Sequence, residues 1–128
     1  MKETNNSIDV TVNALEGVAL DWTVAKACGI EIYRHTGGMI SEGEVVLMLA
    51  DHSAVFAPSA NWSHGGPLME KHKLCTGWMG DEPIAFTRNH KYSDGVEVAP
   101  TVLIAACRAI VASVLGPVVS VPKELVHE

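Results

Sequence analysis

The sequence predicts an α+β fold, a mostly antiparallel sheet packed against two main helices. Three observations support this. Ile8, Val10 and Val12 alternate with Asp9 and Thr11, the period of a half-buried strand. Two stretches, near 13–28 and 100–115, repeat apolar residues at helical spacing. Strands and helices mix without strict βαβ alternation. The 128 residues make one ordinary domain spanning 1–128, with 48% hydrophobic and 19% charged residues, a composition of folded rather than disordered chains.

Residues 1–6 are polar and read as a flexible end. After the first strand, Asn13 followed by Glu16 is a capping-box variant. Leu15, Val18, Ala19, Trp22 and Ala25 then form a helical stripe that Gly29 stops, so a helix is expected over 13–28. A short strand over 30–35 turns at Thr36-Gly37-Gly38, and the apolar run 44–50 suits a buried strand. Pro67 is placed to open a short helix over 68–73, because the first helical turn has no need of its missing N–H. A strand over 84–88 and a polar turn over 89–95 follow. Pro100 marks the second main helix, whose apolar face is Leu103, Ala106, Cys107, Ile110 and Val114 and whose end is Gly116-Pro117. A last short strand covers 118–121.

Charge and cysteine usage exclude several classes. The formal net charge is −6 and the nine basic residues are scattered, which does not suit a phosphate-backbone grip, so no nucleic-acid partner is expected. Three distant cysteines, Cys28, Cys75 and Cys107, do not make a disulfide scaffold, and the polar start does not resemble a signal peptide. The apolar run 99–119 carries Arg108 near its middle and breaks at Gly116-Pro117, a buried helix rather than a membrane span. A cytoplasmic setting with reduced thiols follows.

Three segments carry a family resemblance. They are Leu15-Glu16-Gly17-Val18-Ala19-Leu20-Asp21-Trp22 with Val24-Ala25-Lys26, Pro58-Ser59 with Trp62 and Gly65-Gly66-Pro67-Leu68-Met69-Glu70, and Leu103-Ile104-Ala105-Ala106-Cys107-Arg108 with Val111-Ala112-Ser113 and Gly116. In order and spacing they are similar to the NinX-like proteins of bacteriophages. The chain departs at Phe56-Ala57-Pro58, where the family often has Tyr-Ser-Pro, and at Thr101-Val102, where it has Thr-Pro. Residues 36–55 and 73–92 do not contribute to the resemblance. It implies a small phage or prophage protein, dispensable rather than structural and made in the cytoplasm of the bacterial host. It brings no catalytic residues.

The segment 56–70 concentrates unusual residues. A helix starting at Pro67 would leave N–H groups free near Leu68 and Met69, beside the flexible Gly65 and Gly66, which is a place for phosphate or carboxylate. The same glycines serve equally as a tight turn. Trp62, with Phe56 and Trp22 as neighbours, offers a stacking surface for a flat ring, although Trp22 lies on a helical stripe and reads first as core. Ser59 lies on the same approach. Arg108, in an apolar helix, needs either an internal carboxylate such as Asp21 or an anionic ligand. Trp78, in a Gly-rich stretch, suits a mobile lid or plain packing.

Candidate ligand contacts are therefore Phe56, Ser59, Trp62, Gly65, Gly66, Leu68 and Arg108. His64, His72 and Cys75 match no zinc spacing, so no metal and no cofactor are expected. Asp51-His52-Ser53 holds triad letters without a nucleophile elbow, and Glu70 reads as a surface charge before it reads as a general base, so no catalytic set stands out. The expected function is an accessory protein that binds a small phosphate-bearing, nucleotide-derived ligand and sequesters a host-defence signal. The alternatives are a protein-interaction module that inhibits a host protein and a nucleotide-processing enzyme. A homo-oligomer stays open, since small domains often complete a pocket at a symmetric interface.

Overall fold

The computed structural model describes residues 7–36, 45–51, 54–87 and 97–126. The class is α+β, with three helices and three two-stranded antiparallel ladders among the described residues, where one sheet and two main helices were expected. The predicted turns at 36–38 and 89–95 lie wholly or largely outside the described residues, as do His52 and Ser53.

Strand β1 (Ser7–Thr11) pairs with β6 (Val118–Pro122), setting Ile8 against Val121 and Val10 against Val119. Val119 and Val121 point into the core while Val118 and Ser120 face out, the alternation that one covered face requires. A short 3-10 turn follows over Val12–Ala14, where the Val12 N–H donates to the Pro117 carbonyl at 2.9 Å.

Helix α1 (Gly17–Cys28) is shorter than predicted. Leu15 and Glu16 are extended, Gly17 has φ +62°, and Glu16 takes the N-cap position without a side-chain cap bond. The expected Asn13–Glu16 capping box does not form. Leu15 is buried, and its carbonyl accepts from Arg108 Nε instead of a helical N–H. At the other end Gly29 caps in the left-handed region, as predicted, returning its N–H to Ala25.

Strands β2 (Ile32–Thr36) and β3 (Val45–Leu49) pair, and the chain at 54–56 runs along β3 through Leu49 N–H to Ala54 and Phe56 N–H to Leu47. Helix α2 (Trp62–Lys71) leads into the hairpin of β4 (Cys75–Met79) and β5 (Glu82–Phe86). Strand β4 was not anticipated. Helix α3 (Val102–Leu115) begins two residues after Pro100, behind Thr101, whose hydroxyl accepts the Ile104 N–H at 3.1 Å.

Helices α1 and α3 face each other over the main core, where Leu20 and Val24 meet Cys107 and Val111, with Val119, Val121, Leu47 and Phe56 closing it. Alanines 105, 106 and 109 of α3 form a second cluster with Ala85 of β5 and Ala99. Such small side chains allow close approach of strand and helix. No helix among the described residues is long and apolar enough to cross a membrane.

Candidate functional site

Helix α2 opens at Trp62 rather than behind Pro67. Asn61 caps it, its side chain accepting the Ser63 N–H at 2.9 Å. Gly65, Gly66 and Pro67 are thus interior helical residues, and the Leu68 and Met69 N–H groups fall where the helical ladder uses them. The helix start expected beside Gly65 and Gly66, with its free N–H groups, is therefore not there. Its sequence signal came from Pro67, which the helix tolerates in its second turn at the loss of one donor to the Ser63 carbonyl.

Several of the other special residues of 56–70 are occupied with packing. A Cβ on Gly65 would stand 2.7 Å from the Pro58 carbonyl oxygen and 2.7 Å from Leu103 Cδ2, so the backbone of α2 presses directly on its neighbours. A Cβ on Gly66 would meet open space. Phe56 is buried and stacks on His64 with ring centroids 5.7 Å apart, while His64 Nδ1 accepts the Ala57 N–H at 3.1 Å. Leu68 packs against the main core. Trp62 is the large side chain of the group that stands out, 57% exposed.

Ser59 is buried, and its N–H donates to Asp21 Oδ1 at 2.8 Å. Asp21 therefore anchors the 57–61 turn to α1. Burial pushes its carboxyl up to about 6, against the Ser59 hydrogen bonds that favour the carboxylate.

Arg108 does not pair with Asp21. Its Nε donates to the Leu15 carbonyl at 2.8 Å, and burial lowers its pKa while Glu16 and Glu97 oppose the shift. It lines a crevice of only about 10 Å³ with Asn13, Ala85 and Glu97, hardly room for one water. Leu103, which meets Gly65, lies five residues away and so about 140° around α3. Arg108 and the contact that α2 makes through Gly65 therefore lie on different faces of α3.

The histidines and cysteines also separate. His64 serves the Ala57 turn, His72 Nε2 lies 3.5 Å from Cys28 Sγ, and Cys75 is exposed on β4. No group of three metal-ligating side chains occurs among the described residues. In the Cys28–His72 pair, burial raises the thiol and lowers the imidazole. Both shifts favour the neutral pair over a thiolate–imidazolium nucleophile.

Space for a ligand lies elsewhere. A cleft of about 630 Å³ opens between the C-terminal half of α1 and β2, lined by Trp22, Lys26, Gly29, Glu31, Tyr33 and Arg34 among others. Lys26 Nζ sits 5.1 Å from the centre of the Trp22 ring. Arg34 Nη1 bonds Glu124 Oε2 at 2.6 Å, which holds the guanidinium at the rim. Trp22 partly packs on the core, as its stripe predicted, and also walls this cleft. The sequence reading did not place Lys26, Tyr33 or Arg34 at a site. The four-residue step from Trp22 to Lys26 was a readable signal, but β2 as the opposite wall was not.

Among known proteins, the family model for bacteriophage P22 NinX matches residues 11–114, which includes α1, the 56–70 segment and all of α3 but its last residue. No curated protein matches the chain. Matched over most of its length by that one model, the chain belongs to the NinX family of bacteriophage P22.

Proposed function

We propose that this protein is a phage accessory protein that binds a small, phosphate-bearing, nucleotide-derived ligand in the cleft between α1 and β2. The observation that carries the reading is the lining: two cations, Lys26 and the Glu124-paired Arg34, beside two aromatic rings, Trp22 and Tyr33. Cations suit phosphate, aromatic faces suit a base, and about 630 Å³ lies within the usual range of small-molecule sites, roughly 300–1,000 Å³. Glu31, also at the cleft, disfavours a second anionic group on its side.

The chemistry that this site supports is holding rather than turnover. The cleft lining offers one carboxylate, Glu31, and no paired general acid and base. A protein that holds such a ligand unchanged in the host cytoplasm lowers its free concentration. A nucleotide signal of host defence is a ligand whose withdrawal would serve a phage.

The test is retention. The folded protein is incubated with extract from infected, defence-active bacteria, washed and denatured, and the released compounds are identified by mass spectrometry. An intact phosphate-bearing nucleotide derivative, retained about tenfold less by Lys26→Ala at unchanged melting temperature, is the expected result. Retention lost with Trp62→Ala but kept with Lys26→Ala would move the site back to the start of α2. Release of no phosphate-bearing compound, with a host protein captured instead, would replace this reading by an interaction module, for which the exposed Trp62 is the obvious contact.

A further inference from the structure

The two edges of the β4–β5 hairpin differ. Met79 and Glu82 flank the two-residue turn Gly80-Asp81, in which Gly80 has φ +63°. They form the first hydrogen-bonded pair, so Gly77↔Ile84 and Cys75↔Phe86 are also hydrogen-bonded and the pairs between them are not. The backbone groups of Pro83 therefore point outward from β5, and there the Ala99 N–H donates to the Pro83 carbonyl at 3.0 Å. The outward groups of β4, on Thr76 and Trp78, meet no paired strand among the described residues.

The residues of β4 match an edge that is used. Cys75, Thr76, Trp78 and Met79 are all exposed, Trp78 at 63%. The strand has neither a proline nor a charge, the devices that usually protect an open edge. By contrast, β6 is preceded by Pro117 and ends on Pro122.

We infer that a second copy of this chain pairs antiparallel with β4 about a two-fold axis at Gly77. Thr76 then exchanges both backbone hydrogen bonds with the partner's Trp78, and Trp78 with the partner's Thr76. Charge selects this occupant over an unrelated strand. Antiparallel pairing brings the base of each hairpin, which carries Lys73, to the tip of the other, which carries Asp81. Lys71 and Glu82 lie near the same contacts and add to the attraction, and Glu70 opposes it. The contact occurs twice by symmetry. The product is a four-stranded sheet in the order β5–β4–β4–β5, in which Trp78 is covered across the strands.

The test measures mass by sedimentation equilibrium from micromolar to several hundred micromolar protein. The wild type converts from monomer to dimer. Thr76→Pro removes an N–H that points only outward and holds the protein monomeric. Lys73→Asp weakens the dimer about tenfold, as loss of a charge-assisted contact does, and adding Asp81→Lys restores it. Asp is chosen because residue 73 has φ +53°, which a short polar side chain tolerates. Met79→Cys, oxidised, links to the partner's Cys75, since non-hydrogen-bonded partners stand about 4.5 Å apart at Cα, within disulfide reach. A wild type that stays monomeric throughout overturns the inference. So does a dimer that survives Thr76→Pro or that fails to cross-link through residues 75 and 79.

Discussion

The segment 56–70 and the cleft between α1 and β2 are opposites. The segment is rich in Gly, Pro and aromatic residues, and its structure spends nearly all of them on contact: Phe56 on His64, Gly65 on Pro58 and Leu103, Ser59 on Asp21. The cleft is built from an ordinary helix and an ordinary strand, and it is where the room is. Unusual residues mark where backbones must come close. A concavity, in contrast, arises where two elements diverge, and common side chains can line it.

The contrast can be broken most sharply at Gly65. Gly65→Ala forces a methyl against a backbone oxygen and a leucine, and should cost about 3 kcal/mol of unfolding free energy in a urea titration. A loss under about 1 kcal/mol would show that α2 can slide and that the segment is less closed than described.

Asp21, which ties the segment to α1, comes next. Its native carboxyl titrates at about 6 against an ordinary 3.8, so between these values the native state binds more protons than the unfolded one. Its contribution is fully present below about pH 4 and is lost as pH rises through about 6, by roughly 2–3 kcal/mol. Asp21→Asn keeps an acceptor for the Ser59 N–H and should flatten the stability profile across that window. An unchanged slope would assign the pH dependence to other groups.

Gly66 offers the converse of Gly65 one residue on. With open space around its Cβ position and a helical backbone, Gly66→Ala should raise stability by roughly 0.5–1 kcal/mol. Destabilisation there would mean that the whole Gly-Gly pair is a contact surface. The smallest effect is expected for Trp62→Ala, within about 0.5 kcal/mol in stability and without change in ligand retention.

Much of the fold was legible because local physics dominates it. The stripes of α1 and α3, the Gly29 cap and the alternation in β1 all depend on residues within a turn or two of one another. Strand β4 was not legible. Cys-Thr-Gly-Trp-Met lacks alternation and contains a glycine, and its pairing is supplied by β5 across the Gly80-Asp81 turn. The start of α2 was misplaced for a related reason. Pro67 is favoured at a helix start, but Asn61 caps six residues earlier, and the packing of Gly65 on Pro58 holds the longer helix in place.

The sequence by itself determined the α+β class, the two long helices and the family, since these are written in short-range periodicity and in motifs of fixed spacing. Tertiary structure alone decided that Leu15 breaks the first helix to offer its carbonyl to Arg108, and that Asp21 takes Ser59 rather than Arg108. It also decided that Trp22 and Lys26 face Tyr33 and Arg34 across a cleft. The reason is physical. Periodicity reports which face of an element is apolar, whereas the partner of a buried polar group depends on which distant backbone the packing brings within 3 Å.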